Sequence, residues 1–113
     1  PIWVGGFSEA AFRRGGTLGD GFIFAGDVSG AIEGLGRVRH HLAEAGRSES
    51  GFGRELVMTR ARTPRDAVET AQRWAEAGGT GVSVLTQKVG LASIGAHVDY
   101  LATVKAAFDA ALG

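Results

Sequence analysis

At 113 residues, with no cysteine and with twelve basic side chains balanced by twelve acidic ones, the chain has room for one domain with its own core and is too short for two. The charge balance and a pI near 7.4 provide no polyanion-binding surface and no electrostatic membrane tether, so neither nucleic acid nor a membrane is expected as a partner. Without cysteine there is no disulfide framework, thiolate metal site or Cys nucleophile, which fits a reducing compartment and makes the cytoplasm the expected location.

Ile2-Trp3-Val4 is an apolar run stopped by Gly5-Gly6, after which Ser8 is placed to cap a helix. In that helix Ala11 and Phe12 face inward and Arg13 and Arg14 outward. Gly19-Asp20-Gly21 leads into Phe22-Ile23-Phe24-Ala25, an unalternated run expected of a strand covered on both faces, which Gly26-Asp27 ends. The following helix carries Ile32, Leu35, Val38, Leu42 and Ala45 inward and Arg37, Arg39 and Glu44 outward, and it stops near Gly46.

Arg47 to Arg54 reads as a polar loop, and Leu56-Val57-Met58-Thr59 restarts a strand. Thr63-Pro64-Arg65-Asp66 then announces a helix: a Thr cap, Pro at the first helical position and an acid three residues after the cap. Ala67, Ala71, Trp74 and Ala75 form its apolar stripe, and Gly78-Gly79 ends it. A last strand, Gly81 to Thr86, is followed after Gln87 to Gly95 by a helix with Leu101, Val104, Phe108 and Leu112 inward. No apolar run approaches the roughly 18 residues of a membrane span, and no basic stretch followed by an apolar core marks a leader.

The order βαβαβαβα forces parallel strands, because each right-handed crossover returns the chain to the same edge of the sheet. Two architectures satisfy it: an open doubly wound sheet, or the (βα)₄ half of a TIM barrel with parallel strands and outer helices. No close repeat links the units, so a recent internal duplication is not expected.

Pro1-Ile2-Trp3-Val4-Gly5-Gly6, Ser8, Arg13-Arg14 and Gly19-Asp20-Gly21-Phe22 together resemble the fifth strand, fifth helix and sixth strand of the bacterial-luciferase-like flavin and deazaflavin oxidoreductases, where Trp is usual at the Phe22 position. Ala96-His97-Val98-Asp99-Tyr100-Leu101 is similar to the start of that family's last helix. The resemblance implies the C-terminal half of a (βα)₈ barrel, with FMN or an 8-hydroxy-5-deazaflavin coenzyme as cofactor, a small organic substrate, and hydride transfer or monooxygenation as the reaction. Family members are full barrels, and the units absent here would supply much of the cofactor and substrate pocket. A half barrel leaves two unpaired strand edges and an uncovered interior face, so association is expected, as a homodimer or with a complementary half.

The corner Gly5, Gly6, Phe7 and Ser8 admits two readings. Its amides, the Ser8 hydroxyl and the positive end of the helix dipole hold a cofactor phosphate, or it is an ordinary strand-to-helix turn with a Ser cap. Barrel chemistry sits at the carboxyl ends of strands, which makes Asp27, Arg60, Arg62, Gln87 and Lys88 candidates for a pocket rim. The cations among them suit a phosphate or carboxylate, and equally a solvated rim. Asp20 lies at the opposite end and is read as fixing a turn. His40 and His41, about 100° apart on a helix, cannot share a metal, are read as surface residues, and leave no metal site. His97 reads as capping or packing, Trp3 and Trp74 read as core, and no nucleophile-base-acid triad can be assembled, so no catalytic residue is assigned. A non-catalytic half-barrel assembly module is the alternative function.

Overall fold

Each strand returns to the sheet directly beside the one before it. In the computed structural model, which describes residues 1–87 and 89–112, β1 (Trp3–Gly5), β2 (Gly21–Gly26), β3 (Gly53–Met58) and β4 (Gly81–Val84) form one parallel sheet in the order β1-β2-β3-β4. Between and after them run α1 (Glu9–Leu18), α2 (Val28–Glu44), α3 (Pro64–Glu76) and α4 (Ile94–Leu112). A doubly wound sheet reverses its strand order at a switch point, and no reversal occurs here. Sequential order with crossovers of one hand lays all helices on one face, which is the arrangement of a (βα)₄ half-barrel.

The core lies between that face and the helices. Phe22, Phe24, Leu56 and Met58 point into it from the sheet, and Ala11, Leu35, Val38, Leu42, Ala67, Trp74 and Val104 meet them from the helices. An aromatic file runs through it, with ring centroids 5.5 Å apart for Phe12–Phe22, 4.6 Å for Phe22–Phe24 and 5.4 Å for Phe24–Trp74. Trp74 also ties two strands together, its indole N–H donating to the carbonyls of Arg54 at 3.2 Å and Gly81 at 3.1 Å.

At the amino ends of the strands the links are polar. Asp20 accepts from the Ile2 amide at 2.6 Å and so fixes the start of β1, as its place before β2 suggested. The Arg47 guanidinium donates to Gly16 O at 2.7 Å and Gly19 O at 2.6 Å, satisfying carbonyls at the end of α1.

Several expectations are corrected. β2 is covered by helices on one face only: Ile23 and Ala25, opposite Phe22 and Phe24, are half-buried, because among the described residues the helices pack on the other side. β3 starts at Gly53, not Leu56, because Arg54 and Glu55 pair with Phe22 and Ile23 of β2 despite their polarity. Trp3 is not core; it lies on the open face, 41% exposed, with its ring over Gly21 and Gly53. A methyl group on Gly53 would fall 2.1 Å from that ring, so both glycines are a floor for the indole. His41 is buried at 7% exposure rather than on the surface, because α1 packs over it. Ala45 and Ala75 are exposed, as are Leu101 and Leu112, while Tyr100, Val104 and Phe108 carry the inward face of α4.

Candidate functional site

Three strand-to-helix corners line up at the carboxyl edge of the sheet, each ending in a side chain that caps the next helix. At the first, Gly6 has φ +144°, a conformation L side chains rarely adopt, and a methyl group there would meet Ala11 Cβ at 2.8 Å. Ser8 Oγ then accepts from the Ala11 amide at 3.2 Å. At the second corner, Gly26 has φ +108° and Asp27 Oδ1 accepts from the Gly30 amide at 3.2 Å. At the third, after Arg60, Ala61 and Arg62, Thr63 Oγ1 accepts from the Asp66 amide at 3.1 Å and Pro64 opens α3. Three helix N-termini, each with its partial positive charge, therefore point at one rim.

A cavity of about 400 Å³ opens between the first two corners. Gly6 and Phe7 form one lip, Gly26 and Asp27 the other, Phe12 and Phe24 the floor, and Arg60 reaches in from the third corner. A smaller one of about 240 Å³ shares Gly26, Asp27 and Arg60 and continues to Asp66, Glu69 and Arg73. Arg60 thus stands between two hollows, and it forms no ion pair among the described residues. A guanidinium beside capped helix starts and an aromatic floor suits a ligand with an anionic end and an apolar body.

Two carboxylates near this rim are engaged, while Glu33, which lines the larger cavity, is exposed. Glu9, in the first turn of α1, is held below the ordinary carboxyl range by its hydrogen bond to His41 and by Arg37, which lie 2.7 Å and 3.2 Å from its two oxygens. Asp27 is occupied as a cap. On α4, burial, and then the charge of Asp66, pushes the Tyr100 hydroxyl up.

Of the residues singled out from the sequence, Gly6, Phe7, Asp27 and Arg60 come together around the larger cavity. Gly5 remains within β1, and Ser8 serves the helix cap. Arg62 lines neither hollow, its amide donating to Asp66 Oδ2 at 3.4 Å, and Gln87 is exposed in the turn after β4. Lys88 lies outside the described residues. Sequence reasoning missed the wall formed by Gly30, Ala31, Gly34 and Arg37 on α2. Its signal was present as glycines four apart in an amphipathic helix, where a missing side chain marks a close approach or a hollow.

No His/Cys/Asp/Glu group among the described residues is arranged to hold a metal ion. His41 and Glu9 form an acid–imidazole pair, but it sits in the α1–α2 seam, outside both cavities, and no hydroxyl bonds to it among the described residues. Among the described residues no helix is long and apolar enough to cross a membrane. Against known proteins, the chain matches no family model and no curated sequence.

Proposed function

We propose that the chain is the C-terminal half of a luciferase-like barrel that binds FMN or an 8-hydroxy-5-deazaflavin coenzyme in an oxidoreductase or monooxygenase acting on a small organic substrate in the cytoplasm. One observation carries the reading: the glycine corner of the luciferase-like motif forms the lip of the larger cavity, at the sheet end where barrel enzymes bind their ligands. In this reading the amides of Gly6 and Phe7, with Arg60 opposite, receive the cofactor phosphate, and Phe7, Phe12 and Phe24 exclude water beside it. Bound cofactor would supply the electron chemistry, while this half of the barrel holds the anionic end and orients the remainder. The test is a titration of the purified chain with each cofactor, followed by absorbance and fluorescence. Saturable one-to-one binding supports the proposal, and no binding of either by the folded chain at about 1 mM overturns it, since that limit corresponds to only about 4 kcal/mol.

A second reading, a non-catalytic half-barrel assembly module, is favoured by the uncovered face carrying Trp3, Ile23, Ala25 and Val57. Stable association without cofactor affinity would select it.

A further inference from the structure

The smaller hollow lies between the carboxyl ends of β2 and β3, the start of α2 and one face of α3, and the flavin reading leaves it unassigned. Its volume is about 240 Å³, and residues 26–73 supply every wall, so neither edge strand contributes to it. Val28, Met58 and Ala61 form the floor; all three are buried and none carries an aromatic ring. The larger cavity, by contrast, rests on Phe12 and Phe24. A floor of this kind suits an alkyl body rather than a flat ring system.

Two guanidiniums border that floor, Arg60 from the loop after β3 and Arg73 from α3. Neither forms an ion pair among the described residues. Arg73 Nη2 donates to Ser29 Oγ at 3.0 Å, so a neutral hydroxyl at the start of α2 holds the side chain without cancelling its charge. The three carboxylates on the same wall are each committed elsewhere. Asp27 Oδ1 accepts from the Gly30 amide at 3.2 Å, Asp66 Oδ2 accepts from the Arg62 amide at 3.4 Å, and Glu69 Oε1 pairs with Arg65 Nε at 3.0 Å. Asp27 and Asp66 also stand against the partial positive charge at the starts of α2 and α3. The charge left unmatched around the hollow is therefore that of the two arginines.

We propose that this hollow is a binding site for a small aliphatic carboxylate, whose carboxylate group is received by Arg60 and Arg73 and whose alkyl chain lies on Val28, Met58 and Ala61. A guanidinium is planar and presents parallel N–H donors that match the two oxygens of a carboxylate. Ser29 already holds Arg73 in place, so less side-chain freedom is lost when the ligand arrives. Thr70, one turn before Arg73 on the same face of α3, adds a hydroxyl to the lining. A water takes about 30 Å³ in the liquid, so the hollow has room for roughly eight non-hydrogen atoms, the size of hexanoate. Of the groups proposed to receive the cofactor phosphate, this site shares only Arg60; Arg73 lines this hollow and not the larger one.

Hexanoate is the probe, added to the nitrogen-15-labelled chain without any flavin and followed by nuclear magnetic resonance. The signals to watch are the amides of residues 26–30 and 66–73 and the arginine side-chain Nε–H groups. A saturable shift confined to those signals is expected, with a Kd below about 10 mM. Pentanoate should bind roughly fourfold more weakly, the share of one buried methylene, and 1-hexanol, which keeps the chain without the charge, at least about tenfold more weakly. Failure to saturate by about 50 mM hexanoate, equal binding of 1-hexanol, or tighter binding of inorganic phosphate than of hexanoate overturns the proposal.

Two variants assign the charge. Arg73 is exposed, so Arg73→Gln should retain the fold, and it is expected to weaken hexanoate binding at least about tenfold. Arg14→Gln removes the same charge from an exposed position on α1, outside the hollow, and should bind hexanoate as the wild type does. Wild-type affinity in Arg73→Gln, or an equal loss in Arg14→Gln, overturns the assignment. Hexanoate binding by a chain that takes up no flavin would leave this site standing and remove the flavin reading, and flavin uptake without hexanoate binding would do the reverse.

Discussion

His41 Nε2 lies 2.7 Å from Glu9 Oε1, joining the buried seam of α2 to the first turn of α1 immediately beside the glycine corner. Arg37 holds the second oxygen of the same carboxylate at 3.2 Å, so Glu9 is clamped from two sides. Its carboxyl stands below the ordinary value of 4.5 through the His41 hydrogen bond first and the charge of Arg37 after it. A depressed carboxyl contributes stability above its unfolded-state pKa and loses that contribution as pH falls through the folded value. Glu9→Gln is therefore expected to be less stable than the wild type at pH 7, with the difference shrinking as the pH falls below the ordinary carboxyl range. Urea unfolding at a series of pH values measures it, and a difference that persists unchanged into acid would show that the carboxylate charge is not what holds the seam.

The seam also rests on absent side chains. Gly16 lies on α1 where a methyl group would fall 2.6 Å from His41 Cβ and 2.9 Å from Val38 O, whereas one on Gly36 of α2 meets nothing within 4 Å. Alanine is intrinsically better in a helix than glycine by roughly 1 kcal/mol. At Gly16 the collision of the added methyl with His41 Cβ and the α2 backbone should outweigh this and leave a net loss of about 1–3 kcal/mol. Gly36→Ala should gain about 0.5–1 kcal/mol. Chemical denaturation of both variants decides it, since effects of the same sign would mean that helix propensity governs both sites.

The contrast between these glycines explains what the sequence made legible. Periodicity and capping chemistry are local, so the unit order, the Ser8 and Thr63 caps and the inward Leu35, Val38 and Leu42 could be read directly. Strand order is not local; it needed the coordinates to separate a half-barrel from a doubly wound sheet. The burial of His41 depends on α1 closing over α2 at Gly16, a fact of packing that residue type does not carry. Trp3 was misplaced for the reverse reason. Its apolar bulk demands cover, and the sheet offers only the glycine floor of Gly21 and Gly53 beneath it. At the candidate site, the lips formed by Gly6 and Asp27 followed from the corners, while the Gly30, Ala31 and Gly34 wall depended on how α2 leans on α1.

Trp74 supplies a test of how the last two strands are joined. The ring is 1% exposed, and its N–H bridges Arg54 O and Gly81 O across β3 and β4. Trp74→Phe retains most of the buried apolar area but removes the shared donor from two carbonyls, an expected cost of about 1–3 kcal/mol. Trp74→Ala also opens a cavity and should cost about 3–5 kcal/mol. Amide exchange should localise the milder variant's loss to the β3–β4 pair. If instead it spread evenly over the sheet, the bridge would not be the element that secures β4.

The site itself is tested by separating binding from stability. Ser8→Ala removes the cap on α1 and should lower stability by about 1 kcal/mol, which reduces cofactor affinity only as far as the corner is disordered. Arg60 is exposed and forms no ion pair among the described residues, so Arg60→Ala should leave the unfolding midpoint within about 0.5 kcal/mol of the wild type. If its guanidinium receives the cofactor phosphate, losing a charge-assisted hydrogen bond of about 1.5–3 kcal/mol weakens FMN or deazaflavin binding by roughly 10- to 100-fold. Arg62, one position beyond the buried Ala61 and lining neither cavity, is the matched control, and Arg62→Ala should bind as the wild type does. Fluorescence titration of the two arginine variants side by side gives the answer. Equal affinities would remove Arg60 from the phosphate site and leave the corner amides to hold the anion without it.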